Sequence, residues 1–599
     1  MKKILLSIAF ALVGIASGFA AKAYSGIITV TQSDGTELNV RMYGDEHFNW
    51  LTTEDGVLLV QEGNNYYIAE TTSYGTLKAT KFIAHNANKR VSAEIKAIKK
   101  QNHSRFRSYA IEQASTAKAM GTGNNGVKYF PHSGSPKALV ILVEFSDTTF
   151  RSGEKAKNVF EHFLKGKAED ALPDGYEAYT GSYKNKNLLR NKGSVSDYFY
   201  DMSKGTYTPQ FDVVGPYKLN HSSLYYGQGK KDNTYALVSD ACKAADKDVD
   251  FSRYDADGDG MVDLVYIIYA GYPASMSGNP NDIWPKSGPG DGSFGTYDGK
   301  QVCRYGVHAE LNFGWALNKK NGFLLSGIGL FCHEFSHTLG LPDLYPTVDA
   351  SKVDNQNPEM WDLMDGGEYT YNGGYCPTPY SPWELDVMGW TSPVELGDKA
   401  KQVTLNSYYK ERTAYKINGE NDEYLLIQNI QKGGWWNGIA NGYNTGMLIW
   451  RIDYGTKDVN LFDNPNNTLG KPKVMIVPAD GYVISDYNHG DGKQWTDAEY
   501  KASLQADPFP GTKNKTELLS VKLNKSILKK PFYNIKETDG VITFDYLKDF
   551  ATGIDSPVIQ QNQEKDTRIF TLDGRYLGTD VSQLTKGVYI IGKKKVIIK

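Results

Sequence analysis

The sequence predicts a multidomain chain: a central α/β region, a β-rich N-terminal module, and β-sandwich-like units toward the C-terminus. Three observations carry this. Ala138-Leu-Val-Ile-Leu-Val-Glu-Phe145 and Leu264-Val-Tyr-Ile-Ile-Tyr-Ala270 are nearly continuous apolar runs, the signature of strands buried on both faces. Helix-length segments lie between and after them, which makes the middle of the chain mixed α/β. From about Ala400 to Leu547, strand patterns dominate instead. With 599 residues, several domains are expected.

The N-terminus carries its own signal. Lys2 and Lys3 precede an apolar run from Ile4 to Phe19, and Ala21-Lys22-Ala23 resembles a small-residue cleavage site, with Ala20 as an alternative end. Charged, apolar and small regions in that order predict a secretory signal peptide over 1–23. The run is short for a bilayer span, and no later apolar stretch is long enough to be one. The expected location is therefore secreted or cell-surface.

Residues 24–130 form the β-rich module and its connector. Gly26-Ile-Ile-Thr-Val-Thr31 and Leu38-Asn-Val-Arg-Met42 flank Ser33-Asp-Gly35 and predict a hairpin. Asp55-Gly56 and Asn64-Asn65 mark further turns. After Lys89 the chain turns polar and helical, as an exposed connector open to proteolysis would. In region 131–398, Ser194 caps an expected helix, Phe211-Asp-Val-Val214 reads as a strand, and 235–246 and 327–339 read as helices. Residues 399–548 hold Glu423-Tyr-Leu-Leu-Ile-Gln428 and Met447-Leu-Ile-Trp-Arg-Ile452 among their strands. Residues 552–599 form a short strand-rich unit with turns at Asp573-Gly574 and Lys586-Gly587.

Bulk properties exclude little but exclude it clearly. Apolar residues make up 40% and charged residues 23%, an ordinary globular balance. Net charge is -3, so no global basic field points to nucleic acid or an anionic membrane. The four cysteines, Cys242, Cys303, Cys332 and Cys376, allow either two disulfides or buried thiols.

Chemistry concentrates in Phe331-Cys-His-Glu-Phe-Ser-His-Thr-Leu-Gly-Leu-Pro-Asp343. On a helix, His333 and His337 stand one turn apart on one face, where both imidazoles can bind one zinc ion. Glu334, beside them, can reach a water at the metal and act as general base without ligating. Gly340 can take the left-handed conformation that ends a helix, and Pro342 stops it from resuming. The turned chain then presents Asp343 as a third ligand, and carboxylate oxygen suits zinc. Ile328-Gly-Leu-Phe-Cys332 makes the start of this helix apolar, so the histidines sit on a largely buried element. Shortly after it comes Trp361-Asp-Leu-Met364. A methionine turn beneath the zinc, with a glycine and a third ligand beyond HExxH, resembles the metzincin pattern, whose last ligand is usually His.

With these residues, the chain resembles the immune inhibitor A family of bacterial metalloproteases over much of 135–545. The resemblance lies in Val140-Ile-Leu-Val-Glu-Phe-Ser-Asp147, Ser194–Gly205, Asp255-Ala-Asp-Gly-Asp-Gly260, His333–Asp343 and Met447–Asp453. It implies a secreted zinc endopeptidase that acts on protein or peptide substrates, is made as a precursor and often carries calcium. Arg451 stands where members of that family often have His.

Asp255, Asp257, Asp259 and Asp263 match calcium-loop positions 1, 3, 5 and 9, but Tyr266 replaces the bidentate Glu and a strand follows. This is not an EF-hand. Converging carboxylates still suit a hard cation, so calcium is expected there. Residues 24–130 resemble the propeptides that precede secreted bacterial proteases. They contain no cysteine, so a cysteine switch is excluded; a carboxylate or histidine can block the zinc instead, and Asp45, Glu46 and His47 are candidates by residue type alone. Ile569-Phe-Thr-Leu-Asp-Gly574 and Leu584–Lys599 resemble the C-terminal sorting domain recognised by type IX secretion machinery. Three rivals remain: a non-catalytic surface adhesin on a protease fold, another metal-dependent hydrolase such as an amidase or glycan esterase, and a zinc peptidase of a different clan with a distant Glu as third ligand, which would change the geometry but not the reaction. An intact Glu334 weighs against the first, because a structural zinc site has no use for a base.

Overall fold

A computed structural model describes residues 19–598 apart from 25, 46–47, 111–127, 180–189, 228–232, 278, 280, 291, 313–322, 348–356, 455–463, 484–495, 551–553, 556–568, 572–575, 579–583, 585 and 592–593. Most of the expected signal peptide, together with Glu46 and His47, lies outside the described residues.

The centre is a six-stranded mixed sheet. Its strands are β1 (Phe19–Ala20), β2 (Lys137–Glu144), β3 (Gln210–Lys218), β4 (Val265–Tyr269), β5 (Lys286–Pro289) and β6 (Arg304–Ala309). Across the sheet they run β1-β5-β6-β4-β2-β3. β2, β3, β4 and β6 are parallel; β5 runs antiparallel to β6, and β1 antiparallel to β5. Both apolar runs read from the sequence are thus central neighbours, with Val265 opposite Leu139 and Ile267 opposite Ile141.

Period two sends alternate side chains of β2 into different cores. Ala138, Val140 and Leu142 face one core with α1 (Ala156–Lys165), α2 (Val195–Met202) and α4 (Ile328–Thr338). Leu139, Ile141 and Val143 face another with α3 (Thr234–Ala245). Covering both faces is what a mostly parallel sheet requires. Each fully buried Leu or Ile contributes about 1.5–3 kcal/mol. The Ser194 cap is present: its hydroxyl accepts from Asp197 N–H, and the Asp197 carboxylate returns to Ser194 N–H.

Before this sheet, six antiparallel strands between Ile28 and Ile83 form a meander in sequence order. The expected first hairpin pairs Val30 with Leu38. After it, a five-stranded and a three-stranded sheet share one core, in which Leu425, Ile427 and Ile449 meet Val403, Phe532, Ile542 and Phe544. The opposite face of the five-stranded sheet carries Leu426, Leu448 and Trp450 into the core of α4. A four-stranded sheet lies within Ile569–Ile598. Among the described residues, no helix is long and apolar enough to cross a membrane, and the four cysteines are buried thiols that form no disulfide.

Candidate metal centre and peptide cleft

α4 is buried along its whole length, and its faces divide the labour. Phe331 and Phe335, one turn apart, dock on the sheet through Phe211 and Tyr266. The other face carries His333, Glu334 and His337. The helix ends as the sequence predicts: Gly340 sits at φ +102, and its N–H donates to the His337 carbonyl. The turn brings Asp343 back to the histidines.

His333 Nε2, His337 Nε2 and Asp343 Oδ1 form a nearly equilateral triangle, with separations of 3.2 Å between the imidazoles and 3.3 and 3.2 Å to the carboxylate. Zinc bonds of about 2.0–2.1 Å in a tetrahedron require ligand edges of about 3.3–3.4 Å, so this donor set fits zinc. All three side chains are buried. Each imidazole is oriented by its other nitrogen: His333 Nδ1 donates to the Leu363 carbonyl at 2.9 Å, and His337 Nδ1 to the Leu341 carbonyl at 2.8 Å. That leaves both Nε2 lone pairs toward the triangle.

The Met364 turn lies directly against this arrangement. Leu363 supplies the carbonyl under His333, and the Met364 carbonyl accepts from Leu344 N–H, next to Asp343. One buried turn thus holds together the segments that carry His333 and Asp343. Burial pulls His333 below its ordinary pKa, with Asp343 opposing. Burial also acts on His337, but the Asp343 carboxylate outweighs it and the net shift is upward. Burial would raise Asp343; pairing with the two imidazoles overrides it and holds the carboxyl well below the usual range. Glu334 is pushed up to about 8 by burial, despite His337.

Beside Glu334 lies a stretch of extended chain. Phe19 and Ala20 pair with Ser287 and Lys286 of the edge strand β5. Ala21 N–H donates to Glu334 Oε1 at 2.6 Å, Trp284 Nε1 donates to the Ala21 carbonyl at 2.9 Å, and the Tyr369 hydroxyl donates to the Lys22 carbonyl at 2.7 Å. Ala23 and Tyr24 continue to Gly44 and Ser275. A cleft therefore exists, and it holds peptide backbone by addition to a sheet edge.

Other expectations fall differently. Asp255, Asp257 and Asp259 come together, while Asp263 stands outside that trio and accepts from Ala256 N–H. Two lysines already compensate the carboxylates: Lys300 reaches Asp255 at 2.6 Å and Lys128 reaches Asp257 at 2.6 Å. Asp263 rises to about 6 through burial, then through its neighbours' charges. Asp45 is not among the grouped metal donors; it caps the turn at Phe48. The group found on Glu334 is the Ala21 amide. Of the tyrosines near the Met364 turn, Tyr375 donates to Leu325, and Tyr369 reaches the cleft. Arg451 lies in the C-terminal sheet and donates to the Lys522 carbonyl.

Sequence reasoning did not single out Glu368. Its carboxylate is fully buried, 3.9 Å from His333 Nδ1, with both oxygens lacking a hydrogen-bond partner. Its place in a glycine-rich stretch gave no signal.

A helix carrying HExxH beneath a mixed sheet, with a carboxylate folded back onto its two histidines, is the arrangement that metallopeptidase catalytic domains use. Residues 128–390 match the family described as immune inhibitor A peptidase M6, catalytic domain. Immune inhibitor A of Bacillus thuringiensis subsp. alesti is 26% identical over 308 residues, covering 43% of this chain and 41% of that protein. The pre-pro-metalloprotease PrtV of Vibrio cholerae serotype O1 (strain M66-2) is 23% identical over 286 residues, covering 42% and 29%. A putative secreted metallopeptidase of Arthroderma benhamiae is 24% identical over 259 residues, covering 38% and 35%. The chain thus spans less than half the length of each of these relatives.

Proposed function

We propose that the chain is a secreted zinc-dependent endopeptidase, made as a latent precursor. The observation that carries this reading is the juxtaposition of the His333–His337–Asp343 triangle with a peptide amide held on Glu334. Zinc held by these three residues would supply Lewis-acid polarisation of the scissile carbonyl and lower the pKa of a water. Glu334 then acts as general base, taking a proton from the attacking water and passing it to the leaving nitrogen. The position of Glu334 Oε1, on an amide nitrogen, suits that second transfer. β5 holds the substrate backbone extended, and Trp284 and Tyr369 hold its carbonyls. The strand order, with one antiparallel strand at the cleft edge, supports the metzincin-like reading, with Met364 as its turn.

Latency follows from the same geometry. Here signal-peptide cleavage falls at the alternative end, after Ala20, so that residues 21–24 stay in the cleft, anchored by residues 24–130 as a propeptide, and the precursor excludes substrate until this segment leaves. We also propose a calcium ion at Asp255, Asp257 and Asp259, displacing Lys128 and Lys300, and a type IX sorting role for 552–599. A calcium-dependent rise in melting temperature that Asp257→Asn abolishes checks the first. Periplasmic retention of a chain cut at 551 checks the second.

Casein hydrolysis by the zinc-loaded, processed chain, with and without chelator, tests the main proposal. Activity that disappears with chelator and in Glu334→Ala supports it. Zinc binding with no hydrolysis of protein would favour the adhesin reading, and turnover of amides or glycan esters alone would favour another hydrolase.

A further inference from the structure

The segment in the cleft reports more than occupancy. Lys22 is 3% exposed, and its ammonium lies 3.3 Å from Glu359 Oε2 and 3.0 Å from Asp365 Oδ1. Both carboxylates are buried, at 1% and 0% exposure. Two buried carboxylates thus converge on one ammonium. Buried charges are tolerated only when paired, so this pocket demands a cation.

The pocket is also built rather than incidental. Glu359 N–H donates to Asp365 Oδ2 at 2.7 Å, and the Tyr500 hydroxyl donates to Glu359 Oε2 at 2.9 Å. Glu359 sits at φ +53, a conformation that costs a non-glycine residue and is kept where surrounding structure enforces it. The Lys22 carbonyl is held by Tyr369, so backbone and side chain are both fixed at this position. Beyond it opens a cavity of about 680 Å³ bordered by Tyr24, Tyr369 and Tyr500.

Register assigns the pocket to a substrate position. The proton that Glu334 carries goes to the leaving nitrogen, and the nitrogen on Glu334 is that of Ala21. Ala21 therefore stands where the first residue beyond the cleaved bond would stand, and Lys22 where the second would. Resting on the endopeptidase reading, we infer that Glu359 and Asp365 form a specificity subsite for a basic side chain, lysine foremost, on the second residue of the leaving-amine side. Lys22 borrows this subsite to hold the propeptide in the cleft.

The test uses the full chain carrying Lys22→Glu, which expels the segment by placing a third carboxylate in the pocket. Zinc-loaded Lys22→Glu protein is given a proteome-derived peptide library and its cuts are read by mass spectrometry. In parallel, Lys22→Glu/Glu334→Ala protein is titrated with fluorescent peptides that differ only in lysine, norleucine or glutamate at the second position. Lysine is expected to be enriched about 10-fold at the cuts and to bind at least about 10-fold tighter than norleucine, as charge-assisted hydrogen bonds to buried carboxylates require. Glu359→Gln and Asp365→Asn, each checked for a native thermal transition, are expected to erase both preferences. Cleavage with no enrichment at that position overturns the subsite and leaves the endopeptidase reading standing. No cleavage, but tighter lysine binding that Glu359→Gln abolishes, sinks the endopeptidase reading and with it the assignment of the pocket to a leaving-side position, leaving only a lysine-binding pocket. Equal binding of lysine and norleucine overturns the subsite whatever the activity.

Discussion

Gly329 of α4 touches the backbone carbonyl of Glu368: a Cβ at Gly329 would overlap that oxygen. The contact sets how closely α4 approaches the chain that follows the Met364 turn. Gly329→Ala improves helix propensity but forces the two segments apart. A net destabilisation of about 1–3 kcal/mol is expected from overpacking. Zinc affinity should fall with it, because Leu363, just upstream, orients His333. Denaturant unfolding and a competitive zinc titration check this; unchanged values in both would refute it.

Glu334→Ala separates binding from chemistry. Removing a general base lowers turnover by about 10²–10⁴-fold. The triangle of His333, His337 and Asp343 is untouched, so zinc content should stay at wild-type level. His337→Ala is expected to lose both. Elemental analysis beside a casein assay distinguishes the two outcomes.

Glu310 supplies a pH signature away from the metal ligands. Burial pushes its carboxyl from an ordinary 4.5 up to about 7, against donors from Arg151, Tyr179 and Gly271. Between those values the folded chain holds a proton that the unfolded chain has released. This group's contribution is therefore full below about 4.5 and is lost as pH rises toward about 7. Glu310→Gln should flatten the stability slope across that window. Urea midpoints from pH 4.5 to 8 would show it, and an identical slope in the variant would contradict it.

The cysteines offer a simple assay. All four are buried and outside any disulfide, and burial raises Cys242, Cys332 and Cys376, the last up to about 11. An exposed-thiol reagent should find essentially none in the folded protein and four after unfolding without reductant. Two or none after unfolding would mean disulfides.

What the sequence made legible were the short-range rules. Gly340 ends α4 and returns Asp343 because helix termination is local, and the two apolar runs became central strands because burial on both faces leaves no polar alternation. The Asp255–Asp263 loop was legible as a cluster, but its lysine partners were not: Lys128 is 129 positions from Asp257 and Lys300 is 45 from Asp255, so only the fold brings them together. The peptide in the cleft was invisible for a stronger reason. Ala21 and Glu334 are 313 positions apart, and Ala21-Lys22-Ala23 already had a sufficient meaning as a processing signal. Glu368 carries no periodicity at all; only its burial against His333 marks it.

The strand Glu423–Ile430 has a last consequence. Leu425 and Ile427 point into the C-terminal sheets' own core, while Leu426 and Ile430 point into the core that carries α4. A single ribbon is thus mortar for two walls. Excising the protease at residue 398 would strip one of them bare, leaving Phe335 and its neighbours without the shared apolar interior that Trp435, Trp436 and Trp450 help to fill. The smallest unit that keeps this interior intact extends well past residue 398, far beyond Asp343.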